Sequence, residues 1–270
     1  MRSLGESGRR DLGPTARVAL DVAGRGAGAL LAAVSAARGG KAVHPCGAVH
    51  RARLAIDGAP HAPQASDLLS RPGEWTVVVR FSRSLGLPRP LPDLLGVSLR
   101  VLDAYGEGRH QDVLLVSSVD RPILHHVFVP AGDVQQRPYT CALPYRAGDD
   151  RFLIGLMPDP SSPRLSGTDE LDRLAKAAST GRLRFDVAVA RVNGRFRPVG
   201  TLHVGERMSP EVDALRFNPF NCGGGLEPTG VLNRLRDYAY PLSQAAWGRD
   251  EHRARAQETA DAEVRRLAAA

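Results

Sequence analysis

The chain has 270 residues, 43% of them hydrophobic and 24% charged, a composition typical of a globular protein that needs no disulfide to fold. The formal net charge of +7 is carried almost wholly by arginines, and Lys41 and Lys176 are the two lysines. Acids are interspersed among the arginines, and no helix-turn-helix, zinc-finger or RNA-binding signature occurs, which argues against a nucleic-acid-binding module. Cys46, Cys141 and Cys222 have neither disulfide-framework nor zinc-site spacing, which favours reduced thiols in a cytoplasm.

The N-terminal segment predicts a helix over Pro14–Ala37, ended by Gly39–Gly40. Its apolar run, Ala27–Ala37, faintly resembles a signal peptide but is too short to span a bilayer. Asp21 and Arg25 interrupt the stretch before it. We therefore expect an amphipathic helix packed on the domain rather than an export signal.

The middle of the chain predicts an antiparallel β-sheet, because runs of β-branched and aromatic residues alternate with turns rich in Pro, Gly and Asp. The predicted strands are His44–Ile56, Trp75–Ser82, Gly96–Leu102, Asp112–Ser117, Ile123–Val129, Phe152–Met157, Leu183–Val192 and Phe196–Val204. The Asn193–Gly194 link is the strongest hairpin signal in the sequence. Seven or more strands in one region indicate a closed barrel.

Two further segments predict helices. Thr168–Ser179 has Thr168 as a candidate N-cap and Gly181 just beyond its end. Asp250–Leu267 is rich in Arg, Ala and Glu, a pattern typical of a solvated helix face, and no function is assigned to it. The His125–His126 pair lacks metal-site spacing, so both residues are expected at the surface or at a helix cap.

Candidate chemistry begins with two residues near the predicted barrel. A single histidine such as His44, one of eight, is more often structural than catalytic. Arg80 stands between Val79 and Phe81 on an apolar strand, where it must either face solvent or meet an anion inside.

A second candidate lies near the C-terminus. Arg236 and Tyr240 are four residues apart and would share a helix face, whereas Tyr238 would point elsewhere. A guanidinium beside a phenol favours the phenolate, which is a good ligand for ferric iron. The alternative is a core tyrosine beside a surface arginine. The preceding Gly223–Gly225 run has no GK[ST] after it, so it predicts a tight turn before this helix rather than a phosphate loop.

Five groups of residues, in the same order, resemble the haem catalase family. They are Lys41–His44–Gly47 at the family's R-x-x-H-x-x-G, Val79–Arg80–Phe81–Ser82, Asp93-x-x-Gly96 followed by Arg100, Phe217–Asn218–Pro219, and Arg236-x-x-x-Tyr240–Pro241. The segment around Pro198–Val199–Gly200 also looks like the family's strand before the last turn. Any one match could be chance, but five in order are specific.

The resemblance implies a catalase-like fold: an α+β, antiparallel β-barrel of about eight strands with an N-terminal helix and C-terminal helices. The whole chain would form one haem domain, with a core over 41–243, an N-terminal helix over 14–37 and a helical tail over 244–270. The chain is much shorter than a typical catalase.

The resemblance also implies haem b as cofactor. Tyr240 would be the proximal iron ligand, and Arg236 its charge partner. Arg80, with Lys41, would bind a haem propionate.

On the distal side the resemblance assigns His44 as acid–base catalyst, oriented by the Ser82 hydroxyl. The family's distal asparagine is missing from Asp112–Phe128, where Ser117 or Ser118 is the nearest polar substitute. One hydroxyl cannot copy the reach of a carboxamide.

The sequence therefore predicts a haem-dependent, peroxide-utilising oxidoreductase with weak or no dismutation of hydrogen peroxide. Peroxide and a small organic co-substrate would be its partners, with no nucleic acid and no membrane span. The expected form is a cytoplasmic monomer or homodimer. Two alternatives stay open: an enzyme that rearranges or oxidises an organic hydroperoxide or biosynthetic substrate, and a haem carrier or sensor without turnover.

Overall fold

The computed structural model describes residues 46–88, 91–122, 124–141, 143–229 and 251–269. Its strands are β1 (Cys46–Ile56), β2 (Gly73–Arg83), β3 (Leu95–Val101), β4 (Gln111–Ser117), β5 (Tyr139–Thr140), β6 (Tyr145–Ala147), β7 (Asp150–Pro158), β8 (Leu183–Arg191), β9 (Arg197–Arg207) and β10 (Glu227–Pro228). Its α-helices are α1 (Asp67–Ser70), α2 (Glu170–Ser179) and α3 (Glu251–Ala268), and its 3-10 helices are η1 (Leu124–His126) and η2 (Pro210–Ala214).

Eight of these strands form a closed antiparallel barrel. Their order is β7–β5–β4–β3–β2–β1–β9–β8, and the pairing of β8 with β7 closes the ring. Strand β7 pairs with β6 and β5 through different parts of its length, and β10 extends the sheet beyond β6. The predicted fold class is confirmed, although the predicted helix over 14–37 lies outside the described residues.

The alternation of β2 separates the barrel interior from its outer face. Val77, Val79 and Phe81 belong to the main hydrophobic core, which fills the barrel. Arg80 and Ser82, which alternate with these residues along the strand, therefore point to the outside. One face of the strand thus packs into the core, and its other face carries the polar side chains.

A second, smaller core covers part of the outer face. Val78 of β2 contacts this cluster, to which α3 contributes the buried Ala260 and Val264. The Ser209 hydroxyl, at the start of η2, donates to Glu263 on α3 at 2.8 Å. The C-terminal helix is thus confirmed, but one of its faces is packed against the barrel rather than solvated.

One predicted strand is wrong, and one predicted cap is displaced. Within Ile123–Val129 the described chain forms η1 and then reverses, so that Phe128 pairs with Ser118. Helix α2 is capped by Asp169 and not Thr168, because the Asp169 carboxylate accepts from two backbone N–H groups of the first turn at 2.9 Å. Gly181 follows the helix in a left-handed conformation, as predicted.

His50 is a titratable group inside the barrel. It is fully buried, its Nδ1 lies 3.0 Å from the Gly205 carbonyl, and its ring meets Phe81 edge-on. Among the described residues its Nε2 has no hydrogen-bond partner. Burial lowers the pKa of His50 below 6.5; Arg207 adds to this effect, and the Gly205 bond opposes it.

We expect the protein to lose stability as the pH falls below about 6.5. The unfolded chain then binds a proton that the neutral, buried His50 does not, so the free energy of unfolding should fall by up to about 1.4 kcal/mol per pH unit. Urea unfolding at pH 7.5, 6.0 and 5.0 measures this slope. His50→Gln should make the slope shallower, whereas a change at the exposed His126, H126Q, should leave it intact. Equal slopes in all three proteins would contradict the assignment.

Candidate functional site

The outer face of β1–β3 carries a row of small residues. The register places Gly47 opposite Ser82, and Ser82 opposite Gly96. Directly opposed residues of antiparallel strands share a face. The Ser82 hydroxyl donates to the Gly96 carbonyl at 3.3 Å, so it lies close to the sheet. The row is therefore a strip of small residues on the barrel wall, and it is largely covered, since Ser82 is 3% exposed and Gly96 is buried.

Arg80 lies beside this strip and is only 4% exposed. A Cβ atom at Gly47 would come within 2.7 Å of both Cζ and Nη2 of Arg80, and equally close to the Phe81 carbonyl. Such a contact is too short for any residue with a side chain. The glycine of the predicted distal motif is thus the residue that makes room for the buried guanidinium.

The electrostatics of Arg80 are those of a buried cation. Burial lowers its pKa, and the electrostatic influence of the nearby Asp213 and Cys46 opposes this effect. Asp213 also contacts Arg207, with Oδ2 and Nη2 3.5 Å apart. Of the two sequence expectations, solvent or an anion, the covered position excludes solvent. The other expectation, an anion near the guanidinium, is met in part by Asp213.

A buried network fixes the segment that leads towards the C-terminus. Asp112 is fully buried on β4 and accepts two hydrogen bonds from Arg100, at 2.8 Å from Nε and 2.7 Å from Nη2. The same carboxylate accepts from the backbone N–H of Asn218 at 2.8 Å and from Nδ2 of Asn221 at 3.2 Å. The F-N-P motif is therefore anchored to the barrel through one aspartate.

The glycine run after this motif makes the predicted tight turn. Gly224 and Gly225 have φ angles of 52° and 78°, in the region that favours glycine. A Cβ atom on Gly224 would collide with the ring of Tyr105, and one on Gly225 with the backbone oxygen of Ala65. The chain is thus held against the barrel up to β10, just before residue 230.

Asp93, the acid of the D-x-x-G pattern, stabilises a loop of the barrel. It is fully buried, and its carboxylate accepts from the backbone N–H groups of Leu85 and Leu87 at 3.0 Å each. Arg83 lies 3.4 Å from it and also pairs with Glu170 at 2.9 Å. This cluster holds the loop between β2 and β3.

Ser117 and Ser118, the predicted substitutes for the distal asparagine of the catalase pattern, both donate hydrogen bonds to backbone carbonyls. The Ser117 hydroxyl donates to the Val129 carbonyl at 2.7 Å, and the Ser118 hydroxyl to the His125 carbonyl at 2.9 Å. Each hydroxyl has one proton to donate. In this arrangement neither serine offers that proton to a ligand.

His125, expected at the surface, is fully buried. Its Nε2 lies 2.9 Å from the Gly194 carbonyl, and its ring packs edge-on against Phe196 with centroids 4.6 Å apart. The hairpin turn at Asn193–Gly194 was predictable, but its contact with residue 125 depends on how the barrel folds. Burial of His125 could not be read from local pattern.

Of the predicted site residues, the structure brings together Arg80 and Ser82 on one face of β2, beside Gly47. Lys41, His44, Arg236 and Tyr240 lie outside the described residues, and their roles stay predictions. Across the described ranges there is no group of three His, Cys, Asp or Glu residues arranged to hold a metal ion. None of the described helices is long and apolar enough to cross a bilayer.

Comparison with known proteins supports the fold. No family model and no curated protein matches the sequence. Catalase A from Saccharomyces cerevisiae superimposes with a TM-score of 0.58 at 12% identity, over 76% of this chain and 60% of that one. A bacterial catalase gives 0.55 at 12% identity over 76% and 56%, and a fungal catalase 0.56 at 11% over 77% and 60%. The chain has a catalase-like fold and spans less than two thirds of each catalase.

Proposed function

We propose that this chain is a haem-dependent, peroxide-utilising oxidoreductase built as a single catalase-like domain. The observation that carries the proposal is the outer face of β2, where Arg80 is buried beside Gly47 and next to Ser82. These residues belong to two motifs of the family resemblance, and they share one face of a barrel that is catalase-like.

The described residues fit a haem edge. The strip formed by Gly47, Ser82 and Gly96 carries only small side chains, and the buried Arg80 guanidinium beside it suits a propionate carboxylate. We propose Arg80 as the propionate-binding residue, with Lys41 as a second cation. Asp213 would then share the guanidinium with the propionate.

His44 is proposed as the distal acid–base residue. It precedes Gly47 by three residues, so at most about 11 Å of chain separates it from the row that contains Ser82. Its imidazole nitrogen would take a proton from one peroxide oxygen and return it to the other, while the Ser82 hydroxyl orients the ring.

Tyr240 is proposed as the residue that would hold the haem iron through its phenolate oxygen, and Arg236 as the cation that would keep that oxygen ionised. Haem, when bound, would supply the redox-active iron. The Asp112 network supports this role indirectly, since it anchors the segment that precedes these residues.

The substrate is proposed to be an organic hydroperoxide, or hydrogen peroxide used with an organic reductant. Efficient dismutation of hydrogen peroxide is not expected. The segment 112–128 has no asparagine, and the hydroxyls of its nearest substitutes, Ser117 and Ser118, donate to backbone carbonyls. A carrier or sensor is the second candidate, and the presence of both His44 and Ser82 argues against it.

Haem reconstitution followed by steady-state kinetics tests the proposal. The purified chain should take up one haem and consume an alkyl hydroperoxide with a reducing dye. His44→Ala should lower the rate at least about 100-fold, as loss of an acid–base group does, whereas His126→Ala at an exposed position should not. Failure to bind haem would overturn the proposal, and equal rates in all three proteins would favour the carrier.

A further inference from the structure

Exposed apolar side chains are concentrated on two loops. Six of the seven large hydrophobic side chains exposed in the described part of the chain lie on residues 85–87 and 91, after β2, or on residues 124–128, after β4. They are Leu85, Leu87, Leu91, Leu124, Val127 and Phe128. We call these two segments the apolar loops. Each side chain is 39–54% exposed, and exposed apolar side chains grouped in this way commonly mark a binding site.

The chain just after the first apolar loop is hydrogen-bonded to the chain just after the second. Asp93 and Ala131 join them through two backbone hydrogen bonds, at 3.2 and 2.9 Å. The buried Asp93 carboxylate holds the first loop, and the second is tied to β4 by the backbone bond from Val129 to Ser117 at 3.0 Å. Hydrogen bonds therefore hold the described backbone at both apolar loops.

The surface beside the second apolar loop is basic. The tip of the β8–β9 hairpin contacts η1 through Gly194 and His125. Four exposed arginines lie in the segments that form this contact. Among the described residues 118–131 and 191–197, Asp120 is the one acidic residue, so these segments carry a net positive charge. The arginines are Arg121, Arg191, Arg195 and Arg197.

We propose that the apolar loops and these arginines form a docking surface for the anionic face of a lipid bilayer. Leucine and phenylalanine side chains on short loops suit shallow insertion among acyl chains, and guanidinium groups bind lipid phosphates. The charge argues against a second copy, because the chain carries +7 and a symmetric contact would bring like-charged patches together. A nucleic acid would gain nothing from the exposed leucines. The inference does not depend on haem.

Vesicle sedimentation of the full chain tests this surface. We expect binding to vesicles of phosphatidylcholine with about one third phosphatidylglycerol, and at least about tenfold weaker binding to phosphatidylcholine alone. The double variant L91Q/F128Q and the double variant R195Q/R197Q should each weaken binding at least about tenfold.

The control is R53Q/R71Q, which removes the same charge from two exposed arginines elsewhere. It should bind within about twofold of the parent protein, and thermal melts verify that every variant is folded. The proposal is overturned if the parent protein does not bind anionic vesicles, or if R53Q/R71Q weakens binding as much as R195Q/R197Q. It is also overturned if sedimentation velocity shows a dimer that L91Q/F128Q dissociates, because a second copy would then cover the loops.

Discussion

Tyr240→Phe is expected to leave the chain folded but to abolish the ferric phenolate spectrum of the haem-loaded protein. Phenylalanine keeps the ring and removes the oxygen that would ligate the iron. Peroxide consumption should fall to the level of haem without protein. Absorption spectra and steady-state rates, measured on protein reconstituted under identical conditions, give both readouts.

Tyr238→Phe is the matched control, since it removes the same hydroxyl two residues away. We expect its spectrum and its rate to equal those of the parent chain. If Y238F loses the phenolate band and Y240F retains it, the ligand has been assigned to the wrong tyrosine. If both variants retain the band, neither tyrosine binds the iron.

Asp112→Asn is expected to cause the largest loss of stability. The substitution keeps the volume of the side chain but removes the charge that pairs with Arg100, whose side chain is only 12% exposed. Breaking a buried pair from one side costs about 3–5 kcal/mol, which corresponds to a fall in Tm of roughly 10 °C for a chain of this size. The amide keeps one acceptor oxygen in place of two, so it would also lose the bond from either Asn218 or Asn221.

Chemical unfolding of the haem-free chain measures this effect without any contribution from cofactor binding. The control is Glu74→Gln, which breaks the Arg53–Glu74 pair, where both side chains are 58% exposed. Exposed pairs contribute roughly 0–1 kcal/mol. A D112N variant as stable as E74Q would show that the network does not hold the F-N-P segment in place.

Most of the barrel could be predicted because its long strands carry their own signal. The run from Trp75 to Ser82 is rich in β-branched residues, and the structure extends it by only two residues at its start and one at its end. Strands β5, β6 and β10 have two or three residues each, too few for any periodicity. The segment around η1 was predicted as a strand because it is apolar. In the structure Leu124, Val127 and Phe128 are exposed, so this apolar composition does not reflect a buried strand.

The candidate site was predictable only in part. The V-R-F-S motif placed Arg80 and Ser82 on one strand, but the reason for Gly47 became visible only with the guanidinium packed over it. Residues joined across the fold give no local signal. Asp112 and Asn221 are 109 residues apart, and their bond could not be inferred from spacing. Burial of polar groups such as His50 likewise depends on pairing between distant strands.

Closure of the barrel has a consequence for synthesis of the chain on the ribosome. Strands β1 to β4 can pair successively as they emerge, but the second partner of β1 is β9, with His50 opposite Arg207. At ordinary rates of translation that partner emerges on the order of 10 to 30 s later. During this interval the free edge of β1 exposes unpaired backbone groups, a known route to aggregation. We therefore expect this edge to be the part of the growing chain most prone to wrong pairing until β9 is made.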